Sequence, residues 1–447
     1  MNAVNPRRRL IGGCIGNVCE VFDYSIYALA APALALHFFS RENPTAALLG
    51  TFAIYALAFF ARPVGGVLFG FMADRVGRLK ILSLTILLMG GGTVVTGLLP
   101  TYETIGIAAP ALLVLCRLLQ GLSMGGESSG GYSFIVESAP DGKRGRWIGF
   151  AVCFIYVPTS LAAVFVLGVQ AALGSEAYMD WGWRVPFIFG GLIAVAGFWI
   201  RRTLDDPEEY TAAVANQGDA RSTIREVAAS RKSMLRVILL QVPQAVGAYL
   251  LVGYMFTFVV KTGGLDEKPA LFSNAAAILV LAVIAVFFGS LGDRIGRKPL
   301  LIGGASWLAV TAYPAFSLAA SGTLLGAIVG QSLLAIGVAI FAAGYFVTAV
   351  ELFPTAVRGT GHGFSFNLSA AIFGGTTPLV ATALVGSFDS PVAPAFYAML
   401  LILTLGAAGI AMTPETKDTD LRTSVQSTGP TGRISSSDRS TVDTSSN

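Results

Sequence analysis

A chain of 447 residues that is 54% hydrophobic and only 13% charged falls well short of the roughly 25% charge of a soluble domain, and a mean hydropathy of +0.68 excludes a water-soluble globule. The net charge is +4, with basic residues scattered through short loops, which argues against nucleic acid as a partner. Cys14, Cys19, Cys116 and Cys153 lie in apolar runs without paired spacing and read as reduced packing residues, and the absence of a nucleophile–base pair or metal cluster excludes an enzyme.

A helix that spans a bilayer needs about 20 mostly apolar residues. Residues 1–9 are expected to be a cytoplasmic N-terminus, with no cleavable signal, since the run that follows is long and carries Glu20 and Asp23. Six apolar runs follow, near 10–37, 46–71, 80–100, 106–134, 146–172 and 185–202, and give a first unit over 10–202. Residues 203–232 are polar and form a cytoplasmic linker with room for a short surface helix. Runs near 233–260, 270–291, 299–319, 322–350, 360–386 and 391–413 give a second unit over 233–413. Residues 414–447 turn rich in Ser and Thr, and a disordered cytoplasmic tail is expected. Lipid leaves no open strand edge satisfied, so all twelve spans are read as helices. The 52 glycines suit their close approach.

Lys and Arg fix the orientation. With the N-terminus inside, only Arg41, Arg184, Lys261 and Lys268 fall in outward loops, and Arg62 and Arg117 fall within spans. All the other basic residues face the cytoplasm, which predicts a multi-pass protein of the cytoplasmic membrane with both termini inside.

Two motifs recur in the same order. Gly70-x-x-x-Asp74-Arg75-Val-Gly77-Arg78 returns as Gly289-x-x-x-Asp293-Arg294-Ile-Gly296-Arg297, in the loops between spans 2 and 3 and spans 8 and 9. Glu137-x-x-Pro-x-x-x-Arg144-Gly returns as Glu351-x-x-Pro-x-x-x-Arg358-Gly. Nearly equal offsets mean a duplicated unit, and internal symmetry in an apolar chain marks a secondary transporter. The carboxylate of the first motif is expected to face a helix N-terminus or an arginine of the second, closing the cytoplasmic ends of the two halves as a gate. The alternative is that these basic loop ends only fix topology.

Charge inside the bilayer is expensive, so intramembrane charges are functional candidates. Asn17, Glu20 and Asp23 are spaced by three on span 1 and share a helix face. Glu20 and Arg117 each lie about 15 Å into their spans, near the midplane, so Arg117 is within reach of Asp23 or Glu20. This predicts a coupling device in which a substrate carboxylate takes the Arg117 guanidinium, and the acid left without its partner takes up a proton. Asp23 is then the proton carrier, Glu20 its helper and Arg117 the anchor; a purely structural ion pair between spans 1 and 4 is the alternative. Arg62 and Glu127 lie nearer the cytoplasmic ends, where Arg62 snorkels or pairs with Glu127 in a gate or structural role. Tyr24 and Tyr27 flank the acidic face. Gln120 on span 4 and Gln241, Gln244 and Tyr249 on span 7 are further substrate contacts. Tyr254, Gln331 and Tyr345 are weaker polar candidates, and His362 reads as a surface group. No cofactor is expected, with protons as the coupling ion.

Several stretches carry a family resemblance: Gly16-Asn17-Val-Cys-Glu20-Val-Phe-Asp23-Tyr24, Ala61-Arg62-Pro63-Val-Gly65-Gly66, Arg117-Leu-Leu-Gln120-Gly121-Leu-Ser123-Met-Gly125-Gly126-Glu127, Trp181-Gly-Trp183-Arg184-Val-Pro186-Phe187 and Asn367-Leu-Ser-Ala-Ala-Ile-Phe373-Gly374-Gly375. With the doubled motif, the chain resembles the major facilitator superfamily and, within it, the metabolite:proton symporters. The resemblance implies an all-α membrane protein with twelve transmembrane helices in two pseudo-symmetric six-helix bundles around a central cavity. It also implies Asn367 as a cavity residue, and transport of α-ketoglutarate, citrate, shikimate, proline or betaine with a proton. The tail lacks the heptads that end some betaine carriers. Three intramembrane acids against two arginines favour a zwitterion or a mono- to dicarboxylate over a tricarboxylate such as citrate, and an aromatic lining would suit a quaternary ammonium. Span 5 reads Val157-Pro158-Thr-Ser-Leu-Ala-Ala and lacks the G-P-x-x-G-G of exporters, which disfavours the third reading, a proton-driven exporter. The expected partners are a small-molecule substrate and membrane lipid, with the chain acting as a monomer.

Overall fold

The computed structural model describes residues 6–40, 42–206, 210–211, 220–419 and 421. Among these, twelve helices are long and apolar enough to cross a membrane. The first six are α1 (Arg7–Phe38), α2 (Ala46–Val76), α3 (Arg78–Leu98), α4 (Ala108–Ser138), α5 (Arg144–Leu173) and α6 (Arg184–Arg202). The second six are α7 (Arg231–Lys261), α8 (Glu267–Ile295), α9 (Lys298–Ala319), α10 (Leu324–Glu351), α11 (Thr355–Phe388) and α12 (Ala393–Met412). Their outer faces expose Leu49, Val310 and Leu379, as lipid solvent allows. An amphipathic helix, Ala220–Ala229, lies between the two sets.

The two bundles meet along two seams, α2 against α11 and α5 against α8. Small residues let backbones touch there. A Cβ on Gly70 would lie 2.5 Å from the Gly359 carbonyl, and one on Gly149 would lie 2.6 Å from the Ala285 carbonyl. Both described ends of the chain lie at one face, the base; the opposite face is the mouth.

The doubled motif was expected in loops, but Gly70 and Asp74 belong to the last turns of α2, and Gly289 and Asp293 to those of α8. The first connection shrinks to Gly77 alone and the second to Gly296 and Arg297, and the backbone turns over at the glycine of each: Gly77 has φ 136° and Gly296 φ 100°, values that favour glycine. The tail also departs from expectation. Thr413–Thr419 and Leu421 dock on the base, with Leu421 buried; residues 420 and 422–447 lie outside the described residues. Of the N-terminal segment, Arg7–Arg9 continue α1, and residues 1–5 lie outside the described residues.

Candidate functional site

The centre holds two buried ion pairs, one per acid of α1. Arg117 Nη1 donates to Asp23 Oδ2 at 2.7 Å. Gln120 Nε2 and Thr93 Oγ1 donate to the other oxygen of Asp23 at 2.7 and 2.6 Å. The guanidinium lies over the Tyr27 ring, 3.8 Å from its centroid, with Tyr55 stacked on Tyr27. This cation–π contact replaces part of the hydration that Arg117, 1% exposed, has lost. Arg117 Nε has no partner among the described residues, so one charged donor remains for an incoming acceptor.

Glu20 lies away from Arg117 and pairs with Arg62. Ser128 completes the group, accepting from Arg62 and donating to Glu20 at 2.9 Å each. The expectation of an Arg62–Glu127 pair is therefore overturned. Glu127 is held by Arg201 (Nη1 to Oε2, 2.8 Å) and Thr85 (3.0 Å), and Arg201 also donates to the carbonyls of Gly12 and Leu82. Arg201, counted among the cytoplasmic cations in the sequence, is fully buried and neutralises Glu127 inside the first bundle. A narrow cavity of about 10 Å³, room for about one water, lies among Tyr24, Tyr55, Ala58, Phe59, Arg62, Arg117 and Met124. Tyr249 of the second bundle approaches it through Phe59, ring centroids 6.3 Å apart.

At the base the two motifs interlock across the bundles. Asp74 accepts from the backbone N–H of Gly359 and Thr360 and from the Thr360 hydroxyl, at 2.8–2.9 Å. Its repeat, Asp293, accepts from Gly145 and Arg146 N–H at 2.7 and 2.9 Å. Each carboxylate thus caps the N-terminus of a helix in the opposite bundle, where free N–H groups and the helix dipole favour an anion. Beside them Glu137 joins Arg78 to Arg358, and Glu351 joins Arg144 to Arg297 at 3.1 and 3.5 Å.

The chain matches the family model described as "Major Facilitator Superfamily" over residues 13–372. The chain belongs to the Major Facilitator Superfamily. Among its relatives are the proline/betaine transporter of Salmonella typhimurium, 32% identical over 91% of this chain and 83% of that protein, and a putative proline/betaine transporter of Staphylococcus aureus, 34% identical over 89% and 86%. Among solved structures, the proton:xylose symporter XylE bound to 6-bromo-6-deoxy-D-glucose has a TM-score of 0.76 at 19% identity, covering 94% of this chain and 98% of that chain. An inward-open XylE from E. coli has a TM-score of 0.65 at 20% identity, covering 93% and 98%. This facilitator is a multi-pass membrane transporter and not an enzyme.

The facilitator's remaining sequence candidates lie in different surroundings. Asn367 does not face the cavity: its Nδ2 donates to the Gly125 and Gly363 carbonyls at 3.0 and 2.8 Å, and its Oδ1 lies 3.4 Å from Arg62 Nε. Gln244 donates to the Tyr156 hydroxyl at 2.9 Å, and Gln241 and Asn17 are buried on α7 and α1. Asn17 Nδ2, Gln241 Oε1 and Gln244 Oε1 have no hydrogen-bond partner among the described residues. Gln331 is tied to Asn274 and Ser273 within the second bundle. His362, expected at the surface, is fully buried against Tyr132 and Phe366.

Sequence reasoning missed Thr93, Ser128, Tyr55 and Arg201. Thr93 and Ser128 are ordinary small polar residues of membrane helices and carry no signal alone. Two caps at the base were missed as well. Asp206 accepts from Leu79 N–H at 2.8 Å at the start of α3, and Glu415 accepts from Arg297 and Lys298 N–H at 2.8 and 2.9 Å at the start of α9. Burial pushes Asp206 above the ordinary carboxylate value, against the pull of the Leu79 N–H. Burial also acts to raise Glu415, but four backbone N–H donors outweigh it and hold the group below its ordinary value.

Proposed function

We propose that this facilitator is a proton-coupled symporter that imports a small zwitterion of the proline/betaine class across the cytoplasmic membrane, with the base on the cytoplasmic side. The carrying observation is the buried Arg117–Asp23 pair under Tyr27, beside a cavity that Arg62 and Tyr24 also line. Once this cavity widens beyond the single water it can hold here, a substrate carboxylate competes with Asp23 for Arg117, and the substrate's cationic end meets the faces of Tyr24, Tyr55 and Phe59. Asp23 without its guanidinium is a buried unpaired charge, which is costly, and a proton from the mouth side removes that cost. Substrate and proton therefore enter the occluded state together, and the base seams then part. Relatives named for proline and betaine support the substrate class.

A dicarboxylate such as α-ketoglutarate is the second reading, favoured by a specific feature: Arg62 and Arg117 line the same cavity. The purified protein in liposomes, offered labelled proline, glycine betaine, α-ketoglutarate and citrate under an imposed pH gradient, separates these. Accumulation of proline or betaine that a protonophore abolishes is expected. Uptake indifferent to the protonophore, or restricted to citrate, overturns the proposal.

A further inference from the structure

The two seams at the base are built alike but end differently at the membrane centre. On the α2–α11 seam, contacts recur every four residues along both antiparallel helices. Asp74 and Gly70 meet Gly359, Gly66 meets Gly363 (a Cβ there would lie 2.7 Å from its carbonyl), and Arg62 meets Asn367. On the α5–α8 seam the same steps run Asp293 and Gly289 to Gly145, then Ala285 to Gly149. One step further, the place of Arg62 is taken by Leu281 and that of Asn367 by Cys153, whose thiol donates to the Ala282 carbonyl at 3.4 Å. One seam therefore ends in a charge and the other in apolar packing.

The charge is part of the site. Arg62 is held by Glu20, Ser128 and Asn367, and Asn367 also donates to Gly125 of α4 and Gly363 of its own helix. Moving Arg62 disturbs Asn367, and through it the crossing of α11 over α2 and α4. Arg62 also lines the cavity, so a ligand carboxylate or a proton on Glu20 changes its surroundings directly.

We infer that Asn367 is a positioning residue that couples the charge state of Glu20 to the α2–α11 seam. That seam senses the site, and the α5–α8 seam follows it passively. Loss of the Glu20 charge frees Arg62 from its fixed geometry, Asn367 loses its acceptor role, and the crossing at Gly66 and Gly363 loosens toward Asp74. This rests on the reading of the central pairs as the coupling site, but its test needs neither substrate nor transport.

Hydrogen exchange of the full chain in lipid nanodiscs reads the two seams separately, through amides 359–366 on α11 and 145–152 on α5. Glu20→Gln, which mimics the protonated acid, should raise exchange over 359–366 about tenfold, the factor carried by a hydrogen bond to a charged group, and leave 145–152 nearer the wild-type rate. Asn367→Ala should loosen 359–366 by itself, and Glu20→Gln should add nothing further. Cys153→Ala, the matched change on the other seam, should leave the response to Glu20→Gln intact. Equal loosening of both seams in Glu20→Gln, no loosening of either, or a full Glu20→Gln response in the Asn367→Ala background overturns the inference. Failure of proton-driven uptake with this exchange pattern intact would instead count against the proposed function.

Discussion

Glu137 holds Arg78 of its own bundle on both carboxylate oxygens, at 2.6 and 2.7 Å, while Arg358 of the opposite bundle donates to one of the same oxygens. All three side chains are fully buried. Opening the base must pull Arg358 away from this carboxylate. Removing one member of a buried ionic group costs about 3–5 kcal/mol, so Glu137→Gln should weaken the closed base far more than a surface change. Spin labels at Val76 and Ile295, exposed at the base ends of α2 and α8, report the separation of the bundles. Longer distances are expected in Glu137→Gln; an unchanged distribution contradicts the gate.

Arg117 donates to Asp23 through Nη1 and lies over the Tyr27 ring at once. Lysine keeps the charge but loses both the stack and the fork of donors. Arg117→Lys should raise the KM for substrate uptake by about tenfold or more, equivalent to about 1.4 kcal/mol, while the protein still folds. A KM within twofold of wild type in a kinetic uptake assay would remove Arg117 from substrate binding.

A Cβ on Gly16 would overlap Glu127 Oε1, the oxygen that pairs with Arg201. This ion pair fastens α1, α3, α4 and α6 within one bundle and lies apart from the cavity. Gly16→Ala should therefore cost about 1–3 kcal/mol of stability through overpacking, lowering the melting temperature of the purified protein without altering substrate KM. A melting temperature equal to wild type would mean that the pair has room to shift.

The fold was legible because apolar run length and the repeated motif are one-dimensional signals, and both survive without knowledge of packing. Helix ends were less so: the sequence marks Gly77 as a turn, but not that α2 runs right up to it. Within the site, the spacing of Glu20 and Asp23 put both on one helix face, yet each found a different arginine, Glu20 that of α2 and Asp23 that of α4, and helix spacing alone does not assign the partners. Arg201 was misassigned for a related reason. An arginine at the end of an apolar run reads as a snorkelling cation, and only the fold shows Glu127 waiting beneath it. The docking of Thr416 on Glu351 and of Thr419 on Arg144 was hidden by the composition of the tail, whose polar side chains and backbone bind one buried and one half-buried charge.

The two helix caps at the base should respond oppositely to acid. Glu415 is held below its ordinary value of 4.5, so its stabilisation of α9 is present above that pH and is lost as pH falls through the depressed value. Asp206 is raised, so its cost to folding appears as pH rises through the raised value and disappears in acid. Amide protection at Arg297–Leu301, taken relative to the intrinsic exchange rate at each pH, should fall on acidification below 4.5, while that at Leu79–Leu82 should not. Glu415→Gln should make the α9 response independent of pH. Parallel loss of protection at both helix starts would contradict the assignment.

The central claim is that Asp23 carries the proton that accompanies the substrate. Asp23→Asn keeps the side chain's shape and one acceptor for Gln120 and Thr93, but can no longer gain or lose a proton. The direct measurement compares, in liposomes, accumulation of labelled proline or betaine driven by a pH gradient with exchange of labelled for unlabelled substrate at equal pH. The account predicts that Asp23→Asn abolishes accumulation and retains exchange. A variant that still concentrates substrate against its gradient would contradict it.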